Sequence, residues 1–111
     1  MYGKLIDQLI DALRCLPGVG AKSAQRMALQ LLERDKPGAS RLSEIIAEAV
    51  EKIGRCQECR TLTEHSLCDI CSNKARLSSQ VCVVENPADL YAIESAGGYR
   101  GKYFVLLGHL S

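Results

Sequence analysis

The sequence reads as an α+β chain of three modules, and three observations support this. Apolar side chains recur with helical spacing as far as Ile53, four cysteines then take over as the ordered pattern, and a strand, helix, strand succession fills the remainder. The expected modules are residues 1–54, all helical; 55–78, a four-cysteine finger; and 79–111, the beginning of a parallel α/β sheet. Composition narrows the class further. With 111 residues, 47% hydrophobic and 24% charged, and 14 basic against 13 acidic side chains, the chain is too rich in aliphatics and too balanced in charge for a disordered protein. Its longest apolar runs, Val81-Cys82-Val83-Val84 and residues 103–107, fall far short of the about 20 residues a membrane span needs. The N-terminus mixes charge with aliphatics and shows no compact apolar core of a secretory signal, so the expected compartment is the cytoplasm. In that reducing setting the 6 cysteines are not expected to form a disulfide framework.

The elements follow in order. Leu5, Ile6, Leu9, Ile10 and Leu13 form one face of a first amphipathic helix, with Lys4, Asp7, Gln8 and Asp11 opposite. Leu16-Pro17-Gly18-Val19-Gly20 breaks it, because proline cannot continue a helix and glycine tolerates angles that other residues avoid. A second helix follows with Ala21, Ala24, Met27, Ala28, Leu31 and Leu32 as buried candidates, and Lys36-Pro37-Gly38 is expected to end it. The third helix is expected over residues 41–53, with Ser40 as N-cap, Gly54 as stop and a stripe of Leu42, Ile45, Ile46, Ala49, Val50 and Ile53. Beyond the cysteines, Val81 to Val84 suits a buried strand, Asn86-Pro87 suits a helix start with Asp89 near a capping position, and Gly97-Gly98 suits its end. Residues 103–107 read as a second buried strand, parallel to the first. Two parallel strands are rarely stable alone, so the chain is expected to stop inside a domain.

The turn Leu16 to Gly20, continued by Ala21-Lys22-Ser23-Ala24, fits a helix-hairpin-helix pattern. Gly18 and Gly20 would let the backbone approach a phosphate, and the next helix would present free N–H groups and a positive dipole end. Lys22 and Arg26, four residues apart on one helical face, would add two cations. Between Ala12 and Leu32 there are three basic residues, Arg14, Lys22 and Arg26, and no acidic one, so near-neutrality overall hides a basic element. Its expected ligand is a phosphate backbone, bound without regard to sequence and weakened by salt. A tight turn within a helical dimerisation module is the alternative, and both can hold together.

Cys56-x2-Cys59 and Cys68-x2-Cys71, with eight residues between the pairs, give four thiolates for one tetrahedral Zn2+. The gap is shorter than the roughly 15–20 residues common between paired knuckles, which predicts a compact finger. Four cysteines leave no position for water, so the expected metal is one structural Zn2+ per chain; a redox disulfide pair or an iron-sulfur centre are the competing readings. Cys15 and Cys82 stand apart as small packing residues and His65 as an exposed loop residue. Arg55, Arg60, Lys74 and Arg76 surround the quartet and are expected to be solvated loop charge, with a nucleic-acid surface as the sharper alternative.

Taken together, the glycine hairpin with Lys22-Ser23-Ala24-Gln25-Arg26, the quartet, Val81 to Pro87 and the closing Tyr103-Phe104-Val105-Leu106-Leu107-Gly108-His109-Leu110-Ser111 resemble the RecR family of bacterial recombination proteins over essentially the whole chain. The resemblance implies a non-enzymatic DNA repair factor that assembles into a ring-like homo-oligomeric clamp, works with RecO and RecF, and helps load recombinase onto gapped DNA. It implies DNA contact at Lys22 and Arg26, metal ligation by Cys56, Cys59, Cys68 and Cys71, and the start of a Toprim domain whose glutamate is Glu85. In the family that region serves partner and DNA interactions. Family members continue past Ser111, so clamp closure is expected to need more than these residues. Two other classes remain open: a fragment of a Toprim-type Mg2+-dependent phosphoryl-transfer enzyme, and an assembly module without DNA affinity. The first would need an Asp-x-Asp pair beside Glu85, and none occurs in the 111 residues.

Overall fold

The computed structural model describes residues 2–107; the closing Gly108-His109-Leu110-Ser111 of the resemblance lies outside them. Two compact units divide the chain, residues 1–48 and 49–111.

In the first unit, α1 (Lys4–Leu13) and α2 (Ala21–Glu33) pack on one another. Ala24 and Ala28, one turn apart, are fully buried, and their methyl groups let the two backbones come close. Ile6, Leu9, Ile10 and Leu13 of α1 and Leu31 and Leu32 of α2 are half-buried, whereas Met27 and Ala21, expected inside, face solvent. Cys15, expected to pack as a small hydrophobe, is also exposed.

The third helix starts earlier than its glycine and proline suggest. Here α3 runs Lys36–Lys52, so Lys36-Pro37-Gly38 opens a helix where a stop was expected, and Ser40 lies inside it. The cap is Asp35, whose Oδ1 accepts the Gly38 N–H at 2.9 Å. Pro37 is tolerated because a first-turn N–H has no helical partner to lose. The apolar stripe of this helix was expected to be buried, yet Leu42, Ile45, Ile46, Val50 and the following Ile53 are all exposed.

The second unit contains the finger and the α/β element. β1 (Gly54–Arg55) and β2 (Leu62–Thr63) form a minimal antiparallel pair. β3 (Leu77–Val84) and β4 (Gly101–Val105) lie parallel, with Val81 to Val84 opposite Lys102 to Val105 and a register shift between Leu77 and Val81. Between them runs α4 (Pro87–Ala96), started by Asn86, whose Oδ1 accepts the Asp89 N–H at 3.0 Å, and ended at Gly97, where φ is 77°. Leu90, Val84, Tyr103 and Val105 make the core, with Ile93, Tyr99 and Cys82 against it. Val81 and Val83 were expected to be buried on a two-faced strand; they are exposed, because α4 covers only the face that carries Cys82 and Val84. β4 alternates more fully, with Gly101, Tyr103 and Val105 buried.

Arg76 ties the start of β3 to both neighbours. Its guanidinium pairs with the Glu94 carboxylate of α4 and donates from Nη1 to the carbonyls of Tyr99 and Gly101 at 3.0 and 3.3 Å, while the Tyr103 hydroxyl donates to the same carboxylate. This interior role corrects the expectation of solvated loop charge or a nucleic-acid surface at Arg76. Arg76→Ala should cost about 2 kcal/mol of unfolding free energy, read from urea denaturation, because it leaves a half-buried carboxylate without its cation. The arginine hydrogen bond, followed by that of Tyr103, holds the Glu94 carboxyl below its ordinary range despite its partial burial. A depressed carboxyl stabilises the fold above its unfolded value of about 4.3 and loses that contribution as pH falls through the folded value. Acid destabilisation in that window should therefore be shallower in Glu94→Gln.

Candidate metal centre and nucleic-acid interface

The metal centre is built by two tight turns. Cys56 and Cys59 sit in the loop that β1 and β2 close, where Cys56 N–H donates to the Thr61 carbonyl at 2.7 Å and Arg60 N–H to the Cys56 carbonyl at 3.0 Å. Arg60 adopts φ 72°, a left-handed conformation that turns the chain directly after the second thiol. Cys68 and Cys71 occupy a second turn, in which Ser72 N–H donates to the Cys68 carbonyl at 3.0 Å. No cysteine of the four is more than 8% exposed, and all four Sγ atoms lie within 4.8 Å of one another. A tetrahedron with Zn–S bonds of about 2.3 Å has S···S edges of about 3.8 Å; Cys59 Sγ and Cys68 Sγ are 3.6 Å apart. Backbone N–H groups already point at the sulfurs, Cys68 N–H toward Cys56 Sγ at 3.3 Å and Cys71 N–H toward Cys68 Sγ at 3.4 Å. The four residues fit one zinc ion, which would tie the two turns together as a closed structural site. His65 stays outside, exposed, with its N–H on Thr63 Oγ1 at 3.3 Å.

The thiols do not ionise alike. Burial opposes ionisation of Cys56, but backbone N–H groups of Cys59, Cys68 and Glu58 outweigh it and bring the thiol down to about 6. Burial dominates at Cys59, raising it to about 11, and at Cys71, pushed up further by hydrogen bonding with the other thiols. At neutral pH the metal-free site therefore keeps protons on Cys59 and Cys71 that zinc must displace. Zinc binding at pH 7.5 should release at least about two protons, and affinity should rise with pH. Calorimetry in buffers of different ionisation enthalpy measures that number.

The hairpin lies in the first unit. Val19 N–H donates to the Leu16 carbonyl at 3.2 Å, closing a turn in which Gly18 holds φ 77°. Gly20 is the N-cap of α2, extended, and among the described residues no side chain caps the helix or adds an acid to its first turn. The positive end of α2 is thus left to solvent or to a ligand. One turn on, Lys22, Gln25, Arg26 and Leu29 line an open groove. Tyr2 adds an aromatic group at this place, since Gln25 Nε2 donates to its hydroxyl. Sequence reading missed it because Tyr2 and Gln25 are brought together only by the packing of α1 on α2. Glu85 follows β3 directly and is half-buried. Among the described residues, the four cysteines form the cluster able to hold a metal, and no helix is long and apolar enough to cross a membrane.

Comparisons with known proteins match the same three segments. Residues 6–50 match the family model described as RecR, helix-hairpin-helix; residues 53–73 match the RecR zinc finger domain with four cysteine ligands; and residues 79–111 match a Toprim domain. All 111 residues align with the recombination protein RecR of Saccharophagus degradans at 63% identity, and the chain spans 56% of that protein's length. With the hairpin, the zinc-competent quartet and the parallel βαβ unit each matched in sequence order, the chain belongs to the RecR family.

Proposed function

We propose that the chain is a non-enzymatic DNA-binding factor of recombinational repair, holding the phosphate backbone at the hairpin and acting in the cytoplasm as part of an oligomeric clamp that helps load recombinase at gapped DNA. The observation that carries this reading is the groove at the start of α2. Lys22 and Arg26 stand exposed beside an uncapped helix N-terminus, with Gly18 and Gly20 keeping side chains out of the way of a backbone. Two cations and a dipole end recognise phosphates and leave base edges unread. The 63% identity to a recombination protein supports the repair role. RecO and RecF are the partners the family resemblance implies, and the exposed faces of α3 and β3 are compatible with assembly. The non-enzymatic reading rests on the family resemblance, in which the region around Glu85 serves partner and DNA interactions.

Titration of labelled single-stranded, gapped and fully duplex DNA of unrelated sequences, with Mg2+ present, tests the reading. Binding that weakens with salt, ignores sequence and leaves every strand intact is expected. Strand cleavage lost in Glu85→Ala would favour the phosphoryl-transfer class, and absence of binding at low salt would favour an assembly module.

A further inference from the structure

The parallel pair of strands has an outer edge that the zinc finger covers. At the end of β4, the N–H of Leu106, the residue that follows it, donates to the Val84 carbonyl of β3 at 2.9 Å, and Val105 N–H, pointing the opposite way, donates to the carbonyl of Cys59 at 2.8 Å. A ligand of the first turn thus sits where a third strand would. The second turn is held as well, since Lys102 Nζ donates to the Cys71 carbonyl at 3.4 Å and lies 3.8 Å from Glu58. Arg60, in its left-handed conformation, places its guanidinium 5.5 Å from the centre of the Phe104 ring. Ile70, between the two cysteines of the second turn, packs on both the cysteine cluster and the core of the α/β element.

These contacts have one physical consequence. An unpaired strand edge is costly to leave open, and two parallel strands are marginal without further cover. The carbonyls that supply the cover belong to turns whose shape depends on four thiolates converging on one ion. We propose that zinc loading and the order of β4 are a single coupled equilibrium: the loaded finger serves as the third strand of the sheet, and metal loss uncovers the Val105 edge. The coupling must be reciprocal, so residues of β4 that never touch the metal set part of its affinity. Arg60 is the joint of this device, its backbone shaping the metal turn and its side chain resting on β4.

The test uses the full chain. Amide hydrogen exchange is followed with one equivalent of zinc and after its removal by a competing chelator. Exchange at Val105 should accelerate about tenfold or more, the scale of one lost hydrogen bond, while Ala24 and Ala28 of α2 keep their protection. Zinc affinity is then measured against a chromophoric chelator. Phe104→Ala should weaken it about threefold, and adding Arg60→Ala to that variant should give less than the sum of the separate effects. To separate this effect from misfolding of Phe104→Ala, Lys102→Met, which keeps the length of the side chain, is measured beside it and should also weaken zinc. Unchanged Val105 exchange on zinc removal overturns the proposal, as does parental zinc affinity in both Lys102→Met and a folded Phe104→Ala.

Discussion

Cys59→Ser is expected to weaken zinc binding by about a hundredfold and to loosen residues 56–71. Structural zinc contributes roughly 10–16 kcal/mol to folding, shared among four ligands, so one lost thiolate costs about 3 kcal/mol, or about a hundredfold in metal affinity. The serine hydroxyl is a poor replacement because it does not ionise near neutral pH, and at a position 1% exposed it is left with an unsatisfied donor. Cys15→Ser is the matched control, since Cys15 is exposed and lies in the other unit. Metal analysis should give one zinc per chain for the parent and for Cys15→Ser. Parental zinc affinity in Cys59→Ser, measured against a chromophoric chelator, would remove this cysteine from the ligand set.

The second large effect concerns the groove. Lys22→Ala combined with Arg26→Ala should weaken DNA binding by about ten- to a hundredfold near 0.1 M salt and make the salt dependence shallower by about two units of log–log slope, one for each lost phosphate contact. Both side chains are exposed, so unfolding free energy should change by less than about 0.5 kcal/mol. Lys4→Ala, on the polar side of α1, should leave the slope at its parental value. Fluorescence anisotropy at several salt concentrations reads both quantities. An unchanged slope in the double variant would make the hairpin a scaffold turn only.

The clarity of these features in sequence follows from how local their physics is. The quartet is written in four residues whose chemistry has few other uses, and the hairpin and the Asn86 cap are set by neighbours within a few positions. The start of α3 is equally local but disguised: Pro37 and Gly38 carry the marks of a helix end, and only the Asp35 carboxylate turning onto the Gly38 N–H reverses their meaning. Periodicity announces an apolar stripe on α3 without saying whether anything covers it, and among the described residues it stays exposed. Val81 and Val83 illustrate the same limit, because a β-branched run looks alike whether one face or two are packed. Arg76 with Glu94, 18 positions apart, and Val105 with Cys59 are long-range pairs that no spacing rule reveals.

The most direct test of a hairpin that grips phosphates is the salt dependence of DNA affinity for the full, zinc-loaded chain on two DNAs of unrelated sequence. Log affinity should fall linearly with log salt, with a slope of about −2 to −4 that is the same for both sequences. Affinity independent of salt, or a preference for one sequence of more than about tenfold, the scale of a specific base contact, would contradict it.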